Sequence, residues 1–206
     1  MAHEAMTPPP VLAGQVDAGH SEAAHGHDIA DTRKAAMWLF LISEVMFFTV
    51  LIIGMIMARV KDPDPHHVLN VPLSSLNTFI LLCSSVTVVF ALSSIQQGRR
   101  VRFLRFIAIS IAFGAIFVAL QGVEYFEMYH EGVRLDSSLF GSAFFALTGF
   151  HGAHVIIGVA WLIRIFLKGF NGDYGPNNYW GIEMAGLYWH FVDVVWIVLF
   201  TLIYLF

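Results

Sequence analysis

Within stretches that are otherwise apolar, a small set of side chains is polar, and all of them but Gln121 have the means for acid–base or metal chemistry: Glu44, Gln121, Glu124, His151, His154, Glu183, His190 and Asp193. His151 and His154 stand one helical turn apart, and His190 and Asp193 repeat that spacing. At about 100° per residue, Glu183, Gly186, His190 and Asp193 share one narrow helix face, flanked by Trp189 and Trp196. A haem between helices needs two axial imidazoles on facing helices, which His154 and His190 could supply. A di-iron centre needs histidines and carboxylates repeated over four helices, and that set is missing. A proton path needs acids spaced across the bilayer, of which only fragments are present. Against these stands a simpler assignment, in which each polar group hydrogen-bonds a neighbouring helix because lipid offers it nothing.

The elements that must position these groups are membrane helices. The chain has 206 residues, 57% hydrophobic and 13% charged, with a mean hydropathy of +0.70, and this composition fits a polytopic membrane protein. A net charge of −4 and the absence of a long basic block argue against a nucleic-acid partner. The single cysteine, Cys83, excludes an internal disulfide framework and a thiolate metal cluster.

A spanning helix needs roughly 20 mostly apolar residues, and five stretches qualify: residues 35–58, 72–95, 103–125, 139–167 and 183–205. The fold class expected is therefore an all-α integral membrane protein, a five-helix bundle over residues 35–206. Glu44 lies about 13 Å into the first span, at ~1.5 Å per residue, among Phe40, Leu41, Phe47, Phe48 and Leu51. A charge at such depth costs about 2.5–3.5 kcal/mol on insertion scales, so Glu44 and the seam of residues 183–193 should face protein. In the second span Asn77, Ser84, Thr87 and Ala91 share a face, as expected where two helices approach closely. Residues 1–34 form a polar tail with three successive prolines and His3, His20, His25 and His27 at loose spacing, read as unordered and poorly suited to a metal site. The tail also lacks the features of a signal peptide. Of the eleven Lys and Arg, eight lie on the amino-terminal side of the spans and three (Arg59, Lys61 and Arg134) on the other. That imbalance puts the amino terminus in the cytoplasm and the carboxyl terminus outside.

Five segments, LFLISEVMFF (39–48), SLNTFILLCSS (75–85), LQGVEYFE (120–127), GSAFFALTGFHGAHVIIG (141–158) and YWHFVDVVW (188–196), closely resemble subunit III of haem-copper terminal oxidases, in the family's order. The resemblance covers nearly everything from Met37 onward. It implies an accessory subunit with no haem, copper or other metal of its own. Its partners would be subunit I, which holds haems and copper, reduces oxygen to water and pumps protons, and subunit II. Such a subunit is thought to support proton uptake, protect the active centre during turnover and hold phospholipid. Under the resemblance, Glu44 matches the family's buried functional carboxyl and His151 the histidine near it, so a Glu44–His151 hydrogen bond is expected. Lys168 matches a basic position suited to a lipid phosphate, although any snorkelling lysine would look the same. Many family members have seven spans, whereas this chain has the short five-span form found in the cytoplasmic membrane of bacteria. The segments look more like the cytochrome c branch than the quinol oxidase branch. A stand-alone membrane cytochrome and a small transporter are the rival classes.

Overall fold

The computed structural model describes residues 14–61, 70–135 and 138–205, with side chains described from residue 32 onward. Five helices account for nearly all of it: α1 (Gly14–Lys61), α2 (Val71–Gln96), α3 (Arg100–His130), α4 (Leu139–Asn171) and α5 (Trp180–Phe200), the last running into a π-helical turn, Thr201–Leu205. Each contains a segment long and apolar enough to cross a membrane. Among the described residues there is no strand, only a single bridge between Gly175 and Asn178 in the α4–α5 loop.

The helices overrun the predicted spans by physical rule. Arg100 and Arg102 are good helix formers, so the basic turn shrinks to the residues just before α3. Gly98, at φ 72°, and Gly172, at φ 93°, turn the chain out of α2 and α4 in a left-handed conformation that suits glycine. Asn70 caps α2 by accepting from the Leu73 N–H at 3.3 Å, and Ser138 caps α4 by accepting from the Gly141 N–H at 2.9 Å. The tail differs from expectation: α1 begins at Gly14, not near residue 35. Beyond Pro10 no proline interrupts the tail, and its alanines favour extension of a helix already nucleated by the span. Residues 1–13, with His3, and the side chains of His20, His25 and His27 lie outside the described residues.

From Leu41 onward, α2, α3, α4 and α5 close a ring in which each packs on the next and α5 returns to α2. Lipid weakens the hydrophobic drive between helices, so close packing and hydrogen bonds must hold the ring. Trp189 shows how. Its indole lies between α3 and α4 where glycine makes room: a Cβ on Gly158 would stand 2.7 Å from the ring, and one on Gly114 2.8 Å from its opposite edge. The ring N–H donates to Ser84 Oγ on α2 at 2.9 Å, and Trp196 likewise donates to Thr78 Oγ1 at 2.9 Å. The predicted close face of α2 is used as expected: Asn77 donates to the Phe117 carbonyl at 3.3 Å and Thr87 shares a 2.6 Å hydrogen bond with Ser110. At the other end of α3, Arg100 donates to the carbonyls of Gly169 and Phe170, where the closing dipole of α4 favours a cation.

The spanning part of α1 meets this ring through side chains. Leu41, Phe48, Met55 and Ala58 form its buried stripe, at the seven- and three-residue spacing of one helix face.

Candidate functional site

Glu44 on α1 reaches His154 on α4. Its Oε2 lies 3.1 Å from His154 Nε2, and both side chains are less than a fifth exposed. His154 Nδ1 lies 2.7 Å from the Phe150 carbonyl, which can only accept, so Nδ1 carries a hydrogen. One further proton then sits between Nε2 and Oε2. Whichever atom holds it, the pair has no net charge, which makes it tolerable inside a membrane. Phe47 and Phe48 wall the pair, the Phe48 ring centroid lying 5.1 Å from that of His154.

This corrects the expected partner of Glu44, which was His151. Three residues of helix separate the two imidazoles by about 60° around the axis, enough to turn His151 away from α1. His151 is 1% exposed, stacks on Trp196 at 4.8 Å and 27°, and meets Phe117 edge-on at 5.9 Å. Neither of its nitrogens has a hydrogen-bond partner among the described residues. It works as a buried aromatic plate.

His190 turns to a third neighbour. Its Nδ1 is 2.5 Å from Ser85 Oγ on α2. Asp193, one turn on and 3% exposed, approaches the same serine without meeting full hydrogen-bond geometry. His154 therefore faces α1 and His190 faces α2, so the two imidazoles that a bridging haem would need diverge. Tyr188 strengthens the α4–α5 contact by donating to the His154 carbonyl at 3.1 Å.

The densest polar cluster centres on Glu124 of α3, 3% exposed. Its Oε1 accepts from Tyr204 at 2.6 Å and from Ser74 at 2.7 Å, and its Oε2 accepts from Gln121 Nε2 at 3.2 Å. One carboxyl thus joins α2, α3 and the π-helical end. Close by in sequence, Tyr125 pairs with Thr148 of α4 at 2.8 Å. Arg59, near the end of α1, donates to the Leu202 carbonyl. The polarity of Glu124 is visible in the sequence, whereas Tyr204 and Arg59 carry no signal there, because one reads as an interface aromatic and the other as a flanking charge. Ser74 lies three residues before Asn77 on the predicted face of α2 and could have been added to it.

Two predicted residues stay apart from these clusters. Glu183 is half-buried in the first turn of α5, and Lys168 is exposed in the last turn of α4. In the loop between those helices, burial and the neighbouring Asp173 push the Tyr174 hydroxyl above its ordinary pKa, while Arg164 opposes them. Among the described residues no group of three or more His, Cys, Asp or Glu side chains gathers as a metal site would require. The polar groups inside the spans are instead distributed over helix–helix seams, where they can fasten, orient and share a proton.

The profile of the family described as cytochrome c oxidase subunit III matches residues 15–206. Cytochrome c oxidase subunit 3 of Gazella leptoceros is 38% identical over 194 residues, covering 87% of this chain and 72% of the relative. The protein of the same name from Balaenoptera musculus is 39% identical over the same coverage. With that extent of match, and with five helices among the described residues long and apolar enough to cross a membrane, the chain belongs to the cytochrome c oxidase subunit III family.

Proposed function

We propose that this chain serves a proton-pumping cytochrome c oxidase as an accessory subunit that carries no redox centre. It braces subunit I, where oxygen is reduced, contacts subunit II, and supports proton uptake and phospholipid binding. The observation that carries this reading is the fate of the intramembrane polar groups. Glu44 with His154, His190 with Ser85, and Glu124 with Ser74, Gln121 and Tyr204 are each engaged across a seam within the chain. A polypeptide that spends Glu44, Glu124, His154 and His190 in this way is built for rigidity. The names of its relatives favour cytochrome c over quinol as the electron donor of the complex.

In this reading the chain crosses the cytoplasmic membrane of a bacterium, with its amino terminus inside. Lys168, exposed at the inner end of α4, offers a point charge to a lipid phosphate. Purification from mild detergent tests the proposal. The chain should bring down the haem- and copper-bearing subunits, and the complex should show a haem spectrum that the isolated chain lacks. Stoichiometric haem in the isolated chain, or a chain that purifies without companions, would overturn it.

A further inference from the structure

His190 spends only one of its two ring nitrogens inside the chain. Nδ1 meets Ser85 Oγ of α2 at 2.5 Å. The competing acceptor for that hydroxyl, Asp193, falls outside hydrogen-bond geometry. The serine hydrogen therefore goes to Nδ1, and the imidazole's own hydrogen sits on Nε2. Nε2 has no partner among the described residues, and, unlike the two sealed nitrogens of His151, it stays open to the surroundings of a half-buried side chain.

Depth makes that open N–H costly. His190 comes ten residues after Trp180, the first of α5, about 15 Å along the axis at ~1.5 Å per residue. That is the middle of a hydrocarbon core roughly 30 Å thick. Headgroups are out of reach there, and an acyl chain accepts no hydrogen bond.

The surface around Nε2 supplies the second observation. Leu82 and Val89 stand three residues before and four after Ser85 on α2, and Val194 and Ile197 stand four and seven after His190 on α5, so each pair continues the stripe of its polar residue. All four are 38–58% exposed. Three of them are β-branched and have little rotamer freedom to lose on contact. The packed pair α2 and α5 thus offers an open, stiff apolar strip with one unmet donor in it. Lipid tails would cover the strip and leave the donor unmet, whereas a second helix with an acceptor on its face satisfies both.

We propose that this α2–α5 strip receives a membrane-spanning helix of another polypeptide of the complex, which brings a side-chain acceptor (Asp, Glu, Asn, Gln, Ser, Thr or Tyr) to His190 Nε2. The inference rests on the reading of this chain as one subunit of a larger assembly. Co-purification with redox subunits tests that reading separately.

The experiment places a photo-reactive side chain at Val194, one turn from His190 and 58% exposed. Irradiation is done in native membranes, and the adduct is sequenced from the purified complex. The expected adduct is a membrane-spanning peptide of one other polypeptide with one of those acceptors within a turn of the cross-link. In a detergent series, at the concentration that releases half of the parent chain from the complex, His190→Phe keeps the ring and removes the N–H, and it should lower the bound-to-free ratio about threefold or more. Ser85→Ala breaks only the bond inside the chain and should leave that ratio within about twofold, which separates docking from internal packing. Adducts only to lipid or quinone, an adduct to a second copy of this chain, a partner span with no acceptor on that turn, a ratio indifferent to His190→Phe, or an equal loss with Ser85→Ala would each overturn the proposal, even if redox subunits still co-purify.

Discussion

Gly158→Ala tests the packing logic most directly. The added Cβ would stand 2.7 Å from Cε3 and Cζ3 of Trp189 and 3.3 Å from Tyr188, where carbon atoms prefer about 3.5–4.0 Å. The indole has nowhere to retreat. Its far edge already lies where a Cβ on Gly114 would be 2.8 Å away, and its N–H is held by Ser84. Overpacking of this kind costs about 1–3 kcal/mol. Alanine returns up to ~1 kcal/mol through helix propensity, so the two effects oppose each other and the clash wins. The net loss is about 1–2 kcal/mol, roughly a five- to thirtyfold fall in the ratio of folded to unfolded protein. Reversible unfolding in mixed micelles, followed by tryptophan fluorescence, measures it. Trp189→Phe removes the ring edge that the new methyl strikes, so the cost of Gly158→Ala should fall by about 1 kcal/mol or more in that background, a coupling a double-mutant cycle reads directly. Gly54→Ala, with nothing within 4 Å, is the control that shows the propensity gain without a clash. A Gly158→Ala protein as stable as the parent, or a cost that Trp189→Phe leaves unchanged, would refute the account of a wedged indole.

Three further outcomes are expected. A hydrophobic carbodiimide should label Glu44, which is 18% exposed toward its surroundings, and Glu44→Ala should abolish the labelling; modification that survives the substitution would contradict the assignment. Tyr204→Phe removes one donor from Glu124 and leaves Ser74 and Gln121 in place, so a loss of about 0.6–1.5 kcal/mol is expected, visible as faster proteolysis of the carboxyl-terminal turn. Because burial and Asp173 raise the Tyr174 pKa, its neutral form is favoured in the fold. Its contribution is complete below the ordinary tyrosine value of about 10 and is lost as pH climbs through the higher folded value. A phenolate titration followed by ultraviolet absorbance, compared with Tyr174→Phe, should place this tyrosine above free tyrosine.

Particular residues explain what the sequence disclosed and what it hid. Spans were readable because twenty-odd apolar residues in a row have few other uses, and the α2 face of Asn77, Ser84, Thr87 and Ala91 was readable because helical spacing alone brings those residues together. The choice between His151 and His154 was not. Both lie on the bundle side of α4, and which one meets Glu44 depends on the rotation of α4 against α1, a tertiary quantity that periodicity does not contain. Likewise the sequence marks Glu124 as an acid in an apolar helix, yet its strongest partner, Tyr204, is 80 residues away in a turn whose π geometry nothing in TLIYL announces. The amino-terminal extension of α1 is hidden because a polar composition resembles that of an unordered tail, whereas a helix once started continues through polar residues that merely tolerate it.

The two fasteners of α1 also set an order of events. Glu44 waits for a histidine 110 residues later, and Arg59 for a carbonyl 143 residues later, almost the last of the chain. During synthesis the first helix enters the bilayer before His154 and the Leu202 carbonyl exist, so these two contacts form only when the fourth helix and then the closing turn have emerged from the ribosome. Disturbing the closing turn would therefore loosen the far end of the first helix, while the Glu44–His154 contact still holds its middle.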